Sequence, residues 1–217
     1  MNTMRFALIP LLTMAFAAHA ATVSVTVVDK DGKPVADAVV VIVPSAGGKS
    51  RHPLATEATI AQEKMQFVPA LTLVPVGAKL TFMNLDSWDH HVRGSAAGAA
   101  QFAAGTGDGF ELRLDGKVAG KPGKSLDVKV DKVGGVLLGC HIHGSMRGYV
   151  YVTDSSWSMK TTPEGQAVFD DVPDGAAQVR VWHPDQLLDM PLRPVTAGAT
   201  PAQLNFQLQV VPRRRRT

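Results

Sequence analysis

The 217-residue sequence predicts an all-β protein of two sandwiches, one inserted into the other or packed beside it. Apolar side chains recur with a period of two in short runs, and no helical periodicity exceeds two turns. The runs at the two ends share one style and differ from the middle, and neither end alone has enough strands to bury a core. The expected division is a leader at 1–20, a discontinuous sandwich from 21–55 and 154–212, a second sandwich at 56–153, and a basic tail at 213–217. Insertion through adjacent surface termini makes that arrangement economical.

The leader has Arg5 as its positive segment, an apolar run from Phe6 to Ala18, and Ala18-His19-Ala20 as a small-x-small cleavage site. The run is too short to span a bilayer, and no later stretch approaches the ~20 apolar residues that spanning requires. The expected mature chain begins at Ala21, has no transmembrane segment, and is periplasmic or secreted.

Thr22 to Asp29 alternates like a half-buried strand, Lys30 to Pro34 is a turn, and Ala38 to Val43 is an apolar, β-branched run suited to an interior strand. These predict a hairpin. Pro44 to Thr56 reads as a connection in which His52 is a solvated loop residue. From Ala58 the pattern restarts with Phe67-Val68, Leu71 to Val74, and Lys79 to Asn84, where Leu80 and Phe82 share a face. Gly94 to Gly109, mostly Ala, Gly and Ser, predicts a flexible loop. Phe110 to Leu114, Leu126 to Val130, Gly135 to Cys140 and Arg147 to Val152 follow, so that six or seven short strands lie between Ala58 and Val152. Three more strands come from the stretches around Val168-Phe169, Gln178 to Trp182 and Ala202 to Val210. Trp182-His183-Pro184 reads as a packed aromatic followed by a surface histidine.

Charge excludes a nucleic-acid role. Without Arg5 and the four tail arginines, 17 of the 22 Lys+Arg remain against 19 Asp+Glu, so the folded body is slightly acidic. The tail Arg213 to Arg216 is a solvated end, or a contact for an acidic partner or anionic membrane surface.

Cys140 is the one cysteine, so no internal disulfide can form in a compartment that usually favours them. Its neighbours suggest ligation. Gly139-Cys140-His141-Ile142-His143-Gly144-Ser145-Met146 offers thiolate, imidazole and thioether, donors that suit copper, and lacks only a second histidine. Asn84-x5-His90 follows a strand and supplies one. His91 and His141, each beside a favoured residue, stand as alternatives; successive extended side chains point opposite ways. A cysteine nucleophile is the rival reading, but no orienting third residue accompanies it, and no enzyme is expected.

These residues resemble the cupredoxins. Asn84, His90, Val92, Cys140, His143, Met146 and the Gly148-Tyr149-Val150 continuation fit their pattern over about residues 58 to 153. The two-residue spacing between His143 and Met146 is similar to that of amicyanin. The resemblance implies a Greek-key sandwich and one type 1 copper held by His90, Cys140, His143 and an axial Met146. It further implies a one-electron carrier between redox partner proteins. The alternative is a periplasmic copper chaperone or storage protein using the same ligands. Where cupredoxins usually carry Pro and Asn around the first histidine, this chain has Asp89 and His91, so the tie that Asn provides between ligand loops must come from His91 or be looser. Gly144 and Ser145 imply an open copper edge. A narrower likeness, through the doubled His-His-Val and Val-Trp-His-Pro, is to a bacterial group named methylamine utilization proteins. That group joins a plastocyanin-like domain to carboxypeptidase-regulatory-like strands, which the stretches at 22–43 and 161–182 resemble.

Overall fold

The computed structural model describes residues 20–102, 109–119, 121 and 123–213. The leader up to residue 19 and the tail from residue 214 lie outside the described residues. β1 (Ala20–Val28) and β2 (Val39–Pro44) come first. The middle holds β3 (Glu57–Glu63), β4 (Gln66–Val68), β5 (Leu71–Pro75), β6 (Ala78–Asn84), β7 (His90–Ala96), β8 (Phe110–Leu114), β9 (Ser125–Val130), β10 (Gly134–Cys140) and β11 (Arg147–Thr153). β12 (Trp157–Lys160), β13 (Gln166–Pro173), β14 (Gly175–Trp182), β15 (Arg193–Ala197) and β16 (Ala202–Gln207) follow.

These strands form four sheets, and the protein is all-β. β13-β1-β16 faces β12-β2-β14-β15 across one core, and β4-β3-β6-β9 faces β5-β11-β10-β7-β8 across another. Alternation in β1 puts Val23, Val25 and Val27 into the first core, where they meet Ile42, Phe169 and Phe206. The second core gathers Ile60, Leu80, Phe82, Leu114 and Leu138.

A third apolar cluster explains why β2 is apolar on both faces. Val40 and Ile42 belong to the first core, whereas Val39 and Val41 pack with Leu71, Ala97, Tyr151 and Trp182. The outer face of the β2/β14 sheet therefore lies on the outer face of the β5/β11/β10 sheet, making four layers. Trp182 sits at the centre of this contact, its ring 5.0 Å from that of Tyr151 and 6.2 Å from that of Tyr149. Gly135 makes room for it: a Cβ there would lie 2.6 Å from Trp182 Cζ2.

Several expectations are corrected. β1 and β2 do not form a hairpin; they lie in opposite sheets. The turn itself forms, with Asp29 Oδ1 accepting from the Asp31 and Lys33 amides at 2.8 and 2.9 Å, and Val28 bridges Pro34. Asp37, at φ 58°, then redirects the chain into the other sheet. Nine strands, not six or seven, occupy the middle among the described residues, because the mixed-polarity segment β3 and the histidine-led β7 also pair. Part of the expected flexible loop is ordered: residues 94–96 belong to β7, with Gly94 beneath the Phe110 ring, and Gly98–Phe102 is a 3-10 turn. Residues 103–108 lie outside the described residues.

Candidate metal centre

Two neighbouring strands aim at one point. β7 begins at His90 and β10 ends at Cys140, with Cys140 opposite Val92 in an antiparallel register. His90, two residues from Val92, shares its inward face, and all three side chains are buried. Beyond Cys140 the chain turns: the Met146 amide donates to the His143 carbonyl at 2.9 Å, folding His143 back over the cysteine.

Cys140 Sγ lies 3.8 Å from His90 Nδ1 and 3.6 Å from His143 Nδ1. The three donor atoms all lie within 4.8 Å of one another, and the two imidazoles meet edge to face with centroids 5.0 Å apart. His90 is 1% exposed and Cys140 7%, while His143 is half-buried at the rim. Met146, 1% exposed, packs in the same apolar cluster as Cys140 and borders the same surface recess.

The loop leading to His90 is set by Asn84, which is fully buried at the end of β6. Its Nδ2 donates to the carbonyls of Trp88, Leu114 and Asp115 at 2.8 to 3.1 Å, and its Oδ1 accepts from the Asp86 amide at 2.9 Å. Asp86 in turn lies 2.9 Å from His90 Nε2 through Oδ2. The Met65 amide donates to the same oxygen at 3.0 Å, and the Lys64 amide donates to Oδ1 at 2.6 Å. Burial alone would raise the Asp86 pKa; the Met65 amide, the His90 ring and the Lys64 amide outweigh it and hold the carboxyl below its ordinary value. An ionised Asp86 accepts the His90 Nε2 proton, which leaves Nδ1, the atom facing Cys140, with its lone pair free.

Residues 54–153 match the family described as copper binding proteins, plastocyanin/azurin family. This segment is a cupredoxin domain. Solved structures similar to the chain include an oxidised amicyanin variant, at 18% identity over 54% of this chain and 99% of that one, with a TM-score of 0.35. A reduced amicyanin variant shares 22% identity over 52% of this chain and 99% of its own, with a TM-score of 0.33. A copper-containing nitrite reductase from Thermus scotoductus is 21% identical over 51% of this chain and 25% of its own, with a TM-score of 0.36. No curated protein is matched by the sequence.

The cupredoxin domain does not bring His91 or His141 to Cys140 Sγ. One step along each strand from the buried pair, they face the other side of the sheet and stack on each other with centroids 4.8 Å apart and rings inclined by 23°. The His141 amide donates to the His91 carbonyl at 3.0 Å, so the segments carrying His90 and Cys140 are tied by backbone. Trp88, 44% exposed, stands near the domain's rim rather than in its core. His52 is exposed and lies 3.1 Å from Asp170, in an ion cluster with Arg51 and Asp171. His183 is buried, contrary to the expected surface position: the turn after β14 folds over it, and the Asp185 amide donates to its Nδ1 at 3.1 Å. Tyr149 and Tyr151 are strand residues of the contact between sandwiches. Asp86 was not foreseen; an acidic residue four before His90, in a segment that the strand pattern leaves as a loop, is the one signal the sequence gives for it.

Proposed function

We propose that the protein is an exported type 1 copper protein carrying single electrons between redox partner proteins. The observation that carries the reading is the convergence of Cys140 Sγ with the Nδ1 atoms of His90 and His143 from separate segments. One thiolate and two imidazoles beside a buried thioether fit the donor chemistry of a blue-copper centre. His90, Cys140 and His143 would hold the ion, with the Met146 thioether as a weaker fourth donor. Bound copper would supply a one-electron couple at a site the protein holds rigid.

The chain's own residues set the conditions. Cys140 must give up its proton and both imidazoles must be neutral. Asp86 orients His90 and fixes its tautomer, as partners beyond the ligands do in metal sites. Strand ends on a packed sandwich limit how far the ligands shift, which keeps rearrangement on electron transfer small. His143 at the rim, with exposed Ile142 beside it and exposed Trp88 on the histidine loop, offers the face through which a partner would reach the centre. Export rests on the leader pattern, and the basic tail offers a contact for an acidic partner or membrane surface. The outer sandwich is read as carboxypeptidase-regulatory-like from its turns, with a supporting role toward the cupredoxin domain.

One observation favours a second reading, copper delivery or storage. Gly144 and Ser145 are exposed, and a Cβ on Gly144 would meet nothing within 4 Å, so the edge beside His143 is open to exchange. A visible spectrum with Cu(II) separates the readings. Intense thiolate-to-copper absorption, lost in Cys140→Ser, is the result expected of the carrier. A colourless protein that holds only Cu(I) and passes it to a chelating acceptor would replace the carrier with the delivery reading.

A further inference from the structure

We propose a membrane-docking face on the outer sandwich, formed by Leu187, Leu188 and Leu192 together with the basic tail, that seats the protein on an anionic phospholipid surface. It decides between the two contacts the tail offers, and it does not depend on what the Cys140 centre binds.

The loop joining β14 to β15 turns its leucines to solvent: Leu187 is 48% exposed, Leu188 69% and Leu192 53%. The loop beneath them is pinned. Gln186 is buried; its amide donates to the His183 carbonyl at 3.0 Å and its Nε2 to the Leu188 carbonyl at 3.2 Å, while its Oε1 accepts from the Gln209 amide at 2.9 Å. Met190 packs on the first core. The backbone is thus anchored on both sides of Leu188, and the leucines form an apolar patch in water.

The cations reach the same loop. The Arg213 amide donates to Asp185 Oδ2 at 2.8 Å, two residues before Leu187, so the run Arg213-Arg214-Arg215-Arg216 begins beside the leucines. Val211, 47% exposed, lies between this bond and the one from Gln209 to Gln186, and adds apolar area. Arg193 follows Leu192 directly and is exposed. The loop has two carboxylates of its own: Asp185 accepts from the Arg213 amide, and Asp189 lies near Arg180, whose cation it favours. Against them stand Arg180, Arg193 and the four tail arginines, so positive charge prevails. Anionic phospholipid supplies partners for both kinds of side chain. Apolar groups enter the acyl boundary while cations meet the headgroup phosphates, and the two attractions add.

The test is co-sedimentation of the chain from Ala21 to Thr217 with vesicles of equal parts phosphatidylglycerol and phosphatidylcholine, and with phosphatidylcholine alone. The apolar leader is left out because it would bind lipid by itself. Wild type should bind the anionic vesicles at least about tenfold more tightly than the neutral ones, since each arginine near the surface is worth about fivefold. Leu187→Ser combined with Leu188→Ser should weaken that binding at least about tenfold. Both side chains are exposed, so the fold should persist, which a thermal melt checks. In Leu188→Trp, indole emission should shift to the blue with anionic vesicles by more than in wild type. Cys140→Ser should bind the vesicles as wild type does, so this proposal and the copper reading fail separately. Absence of wild-type binding to anionic vesicles overturns the proposal, as does binding by the double serine variant within twofold of wild type. Should that variant and wild type also bind polyglutamate alike, an acidic protein takes the place of the bilayer.

Discussion

Replacing Asp86 by asparagine tests how the centre is held without changing its shape. Both carboxylate oxygens of Asp86 are acceptors: Oδ1 takes the Lys64 amide at 2.6 Å, and Oδ2 takes the Met65 amide at 3.0 Å and faces His90 Nε2 at 2.9 Å. An asparagine must turn its NH2 toward one side. Facing Lys64, it sets donor against donor. Facing His90, it asks Nε2 to accept and moves the ring proton to Nδ1, the atom 3.8 Å from Cys140 Sγ and the one a metal needs unprotonated. Loss of such a partner typically weakens metal binding 10- to 100-fold, about 1.4 to 2.7 kcal/mol. The metal-free protein should also lose about 1–3 kcal/mol, since one of the two partly buried amide bonds to the carboxylate is lost in either orientation. Competition against a chelator of known copper affinity reads the first number, and denaturant unfolding of the metal-free chain reads the second. A copper affinity within twofold of wild type in a variant whose NMR spectrum shows the His90 ring proton moved to Nδ1 would refute the tautomer argument.

Two further outcomes follow from the scaffold. Gly135→Val places side-chain carbon 2.6 Å from Trp182 Cζ2 and 3.2 Å from Ala97 Cβ, so calorimetry should show a loss of about 1–3 kcal/mol from overpacking between the sandwiches; an unchanged melting temperature would mean that Trp182 is not fixed there. Asp171 is buried, and burial pushes its carboxyl up, yet the Arg51 amide, the Ser50 hydroxyl, the Trp157 indole and the His52 charge together hold it below its ordinary 3.8. Its contribution is therefore complete above the unfolded value and disappears as pH falls through the lower folded one. Asp171→Asn should cost about 1–3 kcal/mol near neutrality, and thermal melts should show that gap closing in strong acid; a gap constant down to pH ~2 would show that the ionised form is not what stabilises.

The sequence made the centre easier to read than its support. Cys140, His143 and Met146 share one turn between two apolar strands, and His90 follows Asn84 at a spacing that matches the cupredoxin pattern, so the set was legible through that resemblance rather than through spacing alone. Asp86 could not be read that way, because its value lies in amides donated by Lys64 and Met65, three strands away in sequence and adjacent only in space. The neighbours His91 and His141 were left as alternatives until the register of β7 against β10 fixed which face each takes. The sandwich class followed from alternation, which is local. Strand partners are not: β1 and β2 looked like a hairpin because their turn is a good one, yet they lie in opposite sheets, with Asp37 at positive φ in the connection. β3, with Gln62 buried among its polar residues, shows how a strand paired on one side by β4 and on the other by β6 can lack the apolar rhythm that would announce it.

The partners of β1 have a consequence for the order in which the protein can be assembled. Val23 lies against Phe169 on one side and Ala202 on the other, so the earliest strand of the sandwich stays unmatched until nearly the last has been synthesised. The copper-domain strands, encoded in between, can find one another first and offer a finished surface of Leu71, Tyr151 and their neighbours on which β2 and β14 then settle. A ribosome releasing this chain would thus deliver the metal-binding part before the part that flanks it, with a valine-rich segment waiting unprotected in the interval.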